Sequence, residues 1–261
     1  MQQPPPPPNP CLSNPDYSTS TTQTVGPLLP VTWGQDCSYN NLCPNLNCSG
    51  DCSTLAVTGC VATAMAQVIR YWSPNNEYNY NYASMPVSSG NGEVQRLMYN
   101  AGRNVDMRYS CAVNGGSWTY GINVPNALKN EFGFTSANRS SYNDASWLNV
   151  QTNLSYHWPV LLEGCNDKTN EFLGIWYSYQ NCHEWVCDGS QETDVTFCMN
   201  GNPVSEEYLY FHMNWGWHEV GVVNDYNGWF AFNNWTITGA GQNNSNLNFQ
   251  YAQDMVTEIH P

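Results

Sequence analysis

Four residues in this chain have the chemistry of a covalent acyl-transfer site: Gln35, Cys60, His183 and Asn214. A thiol attacks a carbonyl carbon as its thiolate. It then needs a base, a group that orients the base, and donors for the oxyanion that forms. Gln35 lies 25 positions before Cys60, His183 lies 123 after it, and Asn214 lies 31 after His183. Cys60 opens the stretch Cys60-Val61-Ala62-Thr63-Ala64-Met65-Ala66-Gln67-Val68-Ile69-Arg70-Tyr71-Trp72. Apolar residues recur there at helical spacing, and three alanines keep the other faces small. Thr58 is the expected N-cap, and Gly59 leaves room for a substrate against the backbone. Cys60 would then sit among unpaired N–H groups at the positive end of the helix dipole, a setting that favours thiolate. The alternative is a core cysteine or half of a disulfide.

The elements that must position these residues divide by region. Residues 1–26 hold the proline run Pro4–Pro8 and then a Ser/Thr-rich stretch. They read as an extension or linker, with one compact domain over 27–261. Helices are expected over 59–72, 92–103, 124–132 and Ser146–Tyr156. Strands are expected at Pro159–Gly164, His183–Asp188, Tyr208–Trp215 and Gly228–Phe232. Helices first and strands later indicate an α+β fold, a helical lobe against an antiparallel one with a cleft between. On a strand, Glu184 points away from His183.

The chain of 261 residues is long enough for a large core, and its formal net charge of −14 includes only two lysines. Nucleic acid is an unsuitable partner, because nothing basic neutralises phosphate. An anionic membrane surface is excluded for the same reason, and no apolar run reaches the length of a membrane span. Eleven cysteines indicate an oxidising, extracytoplasmic setting. The odd count leaves one unpaired, and the simplest assignment is five bridges with Cys60 free. Cys37, Cys43, Cys48 and Cys52 invite a zinc reading, but they lack paired Cys-x-x-Cys spacing, so local disulfides are expected instead. Met1-Gln2-Gln3 does not begin a signal peptide, so a trimmed, mature form is expected. The order Gln, Cys, His, Asn is that of papain-like cysteine proteases.

The local words are more specific. They include Trp33-Gly34-Gln35 with Tyr39-Asn40 and Cys43-Pro44, then Thr58 to Ala64 through Gln67 and Tyr71-Trp72. Val105-Asp106-Met107, Pro159-Val160, His183 and Asp188-Gly189 follow. Phe211-His212-Met213-Asn214-Trp215-Gly216-Trp217, Gly228-Trp229-Phe230 and the glycines Gly239 and Gly241 complete the set. With these, the chain from about residue 28 onward resembles the streptopain family of bacterial cysteine peptidases. The resemblance implies a papain-like two-lobed fold, Cys60 as nucleophile and His183 as base. It implies that Gln35 donates to the oxyanion with the Cys60 N–H, and that Asn214 and Trp215 orient and shield the imidazole. His157, His212, His218 and His260 are rivals for the base; the resemblance makes His212 a structural member of the tryptophan segment, while His260 at the terminus and His157 before Trp158 read as structural or solvent-facing. The resemblance further implies protein or peptide substrates, an upstream pro-segment, secretion, and no cofactor or metal.

The chain departs from that family pattern in places. The family's Gly-Gly-His-Ala is here Asn181-Cys182-His183-Glu184, and His218-Glu219 stands where glycines are usual. Residues 166–181 look like an inserted loop, with Cys165 and Cys182 expected to bridge its base. These departures bear on substrate access and specificity. The functional expectation is a secreted cysteine endopeptidase working through a thiolate–imidazolium pair. The competing readings are a non-catalytic adhesion or carbohydrate-binding module, prompted by the abundant aromatics, and a transamidase using the same groups.

Overall fold

The computed structural model describes residues 9–49, 54–143, 145–172, 176–218, 226–240 and 245–261. The proline run Pro4–Pro8, Cys52, Glu219 and Gly241 lie outside the described residues. The expected α+β arrangement is present. Strand β1 (Ser18–Val25) comes first, followed by helices α1 (Cys60–Trp72), α2 (Gly92–Asn104) and α3 (Val124–Glu131). Strand β2 (Ser136–Ser141) and helix α4 (Trp147–Ser155) lead into β3 (Val160–Phe172), β4 (Trp176–Met199) and β5 (Asn202–Asn214). Strands β6 (Gly228–Ala231), β7 (Thr236–Ile237), β8 (Leu247–Asn248) and β9 (Tyr251–His260) complete the chain.

Composition explains the helices. All residues from Val61 to Ile69 in α1 are buried, because most are small or apolar and let neighbours close in on every face, while the amide of Gln67 donates to the Trp33 carbonyl and Asn214 Oδ1. The α2 start is capped by Asn91, whose side chain accepts from the Glu93 and Val94 N–H groups. In α3, Pro125 sits in the first turn, where its missing N–H costs nothing.

Seven strands form one antiparallel sheet in the order β2-β9-β3-β4-β5-β6, with β1 paired to the outer half of β4. Residues alternate between its faces. On one face Leu161, Val186 and Val256 join the core around α1, α2 and α3. On the other, Leu162, Trp185, Cys187, Met213 and Met255 join a second core that includes Val150 and Leu154 of α4.

Three expectations change. Residues 18–25 were expected to be linker, but they pair in register with Ser190–Phe197, and Cys11 is bridged to Cys198. Their Ser/Thr side chains are exposed, so no apolar alternation marks the strand, and backbone pairing holds it with help from the Thr22–Thr193 and Gln191–Thr24 side-chain hydrogen bonds. Residues 166–172 and 176–181, expected to belong to an inserted loop, instead continue β3 and β4, with Asp167 opposite Gln180 and Asn170 opposite Tyr177. The assignment of five bridges and one free thiol also fails. Cys43, Cys60 and Cys187 are free among the described residues, and Cys48 bridges to the distant Cys111 rather than to a near neighbour. Cys37 is also disulfide-bonded. Burial explains the two extra thiols: Cys43 and Cys187 lie in apolar surroundings as small hydrophobes. Cys165 and Cys182 are cross-strand neighbours and are bridged.

Candidate active site

Cys60 is the first residue of α1, and the backbone before it explains how it is presented. Gly59 caps the helix with φ 90° and ψ 145°, and no side chain caps the end. A Cβ at Gly59 would stand 2.8 Å from the Met107 side chain and 3.0 Å from the Ser117 carbonyl, so only glycine fits. Thr58 is therefore not the N-cap expected. Its N–H and hydroxyl both donate to the Gln35 carbonyl, at 2.9 and 3.2 Å. This pair of bonds ties Gln35 to the start of α1. The Gln35 amide Nε2 donates weakly to the Gly216 carbonyl at 3.5 Å.

His183 lies on β4 opposite Gly164 of β3 and is 7% exposed. Its ring is bedded among Trp217, Phe249, Trp185 and Trp215, with centroids 4.7, 5.5, 6.0 and 6.3 Å away. Its Nε2 is 2.7 Å from the Trp215 carbonyl oxygen. A carbonyl can only accept, so Nε2 carries the hydrogen and Nδ1 keeps its lone pair. The group that orients the imidazole is thus the Trp215 backbone. Asn214, expected to share that task, is engaged elsewhere. Its Nδ2 donates to the Val31 carbonyl at 2.9 Å, and its Oδ1 accepts from Gln67 Nε2 at 3.2 Å and the Gly216 N–H at 3.3 Å. Strand alternation is the reason: His183 and Trp185 face the second core, whereas the Asn214 amide reaches Gln67 of α1. Asn214 braces the turn whose carbonyl holds the ring. Asn227 adds to this by accepting from the Trp215 N–H at 2.8 Å.

Gln35, Cys60, His183, Glu184, Glu163 and Trp217 line one cleft of about 770 Å³. Burial pushes the Cys60 thiol up to about 12, partly offset by the backbone amides of Glu184 and Val61, with the Glu184 and Glu163 carboxylates pushing the same way as burial. Burial pushes His183 down to about 4, against the pull of the Trp215 carbonyl. Each group alone is therefore neutral at pH 7. The thiolate expected from the helix dipole is outweighed by desolvation and two nearby carboxylates.

His212, His260 and His157 make other contacts, whereas the His218 backbone packs against Gly34, beside Gln35. His212 Nδ1 is 2.6 Å from Asp188 Oδ1 and meets the edge of Trp229. Asp188 in turn accepts from the Leu29 N–H at 3.0 Å, so this pair fastens the entry segment to β4. His260 packs against Trp158, and His157 accepts at its carbonyl from Tyr71. Phe249, Glu163 and Arg139 were not foreseen. Nothing local in the sequence marks them, because strand register alone carries them to the site.

The sequence profile of the Peptidase C10 family matches residues 33–84 and 73–230. The thiol protease/hemagglutinin PrtT of Porphyromonas gingivalis is 28% identical over 232 residues, covering 76% of this chain and 23% of that protein. Streptopain of Streptococcus pyogenes is 25% identical over 246 residues, covering 79% of this chain and 53% of that protein. The chain thus spans about half of one relative and about a quarter of the other. Active wild-type interpain A cysteine protease of Prevotella intermedia superposes with a TM-score of 0.66 at 25% identity, over 91% of this chain and 96% of that one. A prointerpain A fragment superposes at 0.62 with 23% identity, over 96% of this chain and 79% of that one. The fold is papain-like, and the chain belongs to the Peptidase C10 family.

Proposed function

We propose that this chain is a secreted cysteine endopeptidase with Cys60 as nucleophile and His183 as general base and acid. One observation carries the reading. A half-buried thiol at a helix start and an imidazole with a free Nδ1 line the same cleft, in a member of a peptidase family. His183 Nδ1 takes the Cys60 proton as Sγ bonds to the peptide carbonyl carbon. The Gln35 amide and the Cys60 N–H receive the oxyanion. The imidazolium then protonates the leaving nitrogen, the C–N bond breaks, and a thioester remains. Water gives a proton to Nδ1 and its oxygen to the thioester carbon, which releases a carboxylic acid and restores the thiol. The Trp215 carbonyl holds the ring in one tautomer, and Asn214 acts through that turn as a positioning residue.

The bridges Cys11–Cys198, Cys48–Cys111 and Cys165–Cys182 support an oxidising, extracytoplasmic setting. The fold shared with a prointerpain A fragment supports a precursor bearing a pro-segment. The paired thiol and imidazole favour catalysis over a purely adhesive role. Cys60→Ala is the test. It should lower hydrolysis of a mixed peptide library by at least about 10³-fold while leaving circular dichroism and melting unchanged. Comparable turnover by the purified variant would overturn the reading. Product analysis with an added amine separates hydrolysis from transamidation.

A further inference from the structure

We propose that Glu184 and Glu163 form a cation subsite in this cleft, which takes the lysine or arginine side chain of a substrate beside the scissile bond. The inference rests on the peptidase reading and extends it to specificity. It begins with strand register. Glu184 stands opposite Glu163, and Glu163 stands opposite Asp254, so three acids cross β4, β3 and β9 in one row. Two residues along each strand, the same face carries Val186, Leu161 and Val256, which are buried in the core around α1. The face that is apolar under the helices thus turns acidic where it reaches the cleft.

Like charges placed opposite one another in a sheet repel. Arg139 meets that repulsion only in part. Its Nη2 lies 2.7 Å from Glu163 Oε2 and 2.7 Å from Asp254 Oδ2. Glu184 is left over. It is 2% exposed, and neither carboxylate oxygen has a hydrogen-bond partner among the described residues. A buried carboxylate without a partner is costly unless it is protonated or meets a cation. Glu184 and Glu163 both line the cleft, which gives a cation a route to them. A Cβ on Gly121 would stand 2.7 Å from both Glu184 Oε2 and Glu163 Oε2 and would collide with Arg139 Nη1, so the bare backbone of Gly121 packs directly against the acid row. Thr119, Tyr120 and Tyr179 complete this part of the cleft.

The occupant is an organic cation rather than a metal. Among the described residues, no group of three or more His, Cys, Asp or Glu is arranged to hold a metal ion. Arg139 already stands between Glu163 and Asp254 and repels any incoming cation, a dication more strongly than a single ammonium or guanidinium. Burial raises the Glu184 carboxyl well above its ordinary range, with Glu163 adding to the rise and Arg139 opposing it. Uptake of a proton by Glu184 is thus easier than for an ordinary carboxyl, and an incoming ammonium or guanidinium opposes it. The groups facing that proton are Glu163 of β3, Arg139 of β2, Asp254 of β9 and Cys60 of α1.

The test uses N-acetylated peptides that carry either arginine or its neutral isostere citrulline, so the side chain is the only cation offered. The pair is scanned through positions on both sides of the cleaved bond. Cleavage is measured with the parent protein, and binding is measured by calorimetry with Cys60→Ala. At one position arginine should exceed citrulline by at least about tenfold in both measurements. Glu184→Gln should bring that ratio close to one, and Glu163→Gln should lower it in the same direction. Equal cleavage and binding of the two peptides at every position would overturn the subsite while leaving the peptidase reading intact. A ratio kept in both glutamine variants would also overturn it. Failure of the parent to cleave any peptide would instead remove the peptidase reading, and the binding ratio would still decide the subsite. Melting curves of each variant establish that it is folded, and Glu163→Gln decides the matter if Glu184→Gln is not.

Discussion

Replacing His183 by glutamine should remove an acid-driven loss of stability. The imidazole is 7% exposed, and its protonation falls from an ordinary value of 6.5 to about 4 in the folded chain. Burial is the first cause. The unfolded chain therefore binds this proton more readily than the folded one. The sign follows: the contribution is complete above pH 6.5 and is lost as the pH falls towards and through 4. At about 1.4 kcal/mol per unit, the parent should lose about 2 kcal/mol by pH 5 and about 3 kcal/mol by pH 4 through this one residue. Glutamine cannot titrate, and its amide can still donate to the Trp215 carbonyl. Glu163 and Glu184, whose protonation is raised by burial, push stability the other way in acid, but they are common to both proteins and cancel in the comparison. Urea unfolding of parent and variant at pH 8, 5 and 4 measures the difference. The two stability curves should converge on acidification by these amounts. Parallel curves would mean that His183 is not held neutral in an apolar nest, and the Nδ1 argument for the base would fall with it.

Two further outcomes concern the cysteines. Alkylation after denaturation without reduction should modify Cys43, Cys60 and Cys187, whereas in the native protein Cys60 should react first, because the other two are buried. Mass spectrometry finding Cys43 or Cys187 in a bridge would contradict the fold. Removing the Cys165–Cys182 bridge by paired serine substitution opens a loop with a sequence separation of 17, which should cost about 3 kcal/mol and lower the melting temperature by roughly 6–12 °C. An unchanged melting temperature would show that the register of β3 and β4 holds the hairpin without it.

Some of this was legible in the sequence because its causes are local. The burial of α1 follows from its own small and apolar residues, and the position of Cys60 follows from Gly59 and the helix start. The expected helices over 92–103, 124–132 and Ser146–Tyr156 correspond to α2, α3 and α4, which have their own periodicity. Motifs around Cys60 and Asn214-Trp215-Gly216 were enough to suggest the family. Other features depend on chain segments meeting. The polar strand Ser18–Val25 exists only because β4 offers it a backbone edge. That the Trp215 carbonyl, and not the Asn214 amide, receives the imidazole N–H depends on which face of β4 and β5 each side chain takes. The Cys60 thiolate is expected from a helix dipole, a local field, but the protonation of Cys60, like that of His183, is set by burial, which requires the whole fold. The acid row Glu184–Glu163–Asp254 comes from three strands separated in sequence and aligned by register. Sequence alone determined which groups the chain carries and where its helices start. Tertiary structure decided which groups share a face and which lose their water, because pairing register and desolvation are properties of segments in contact.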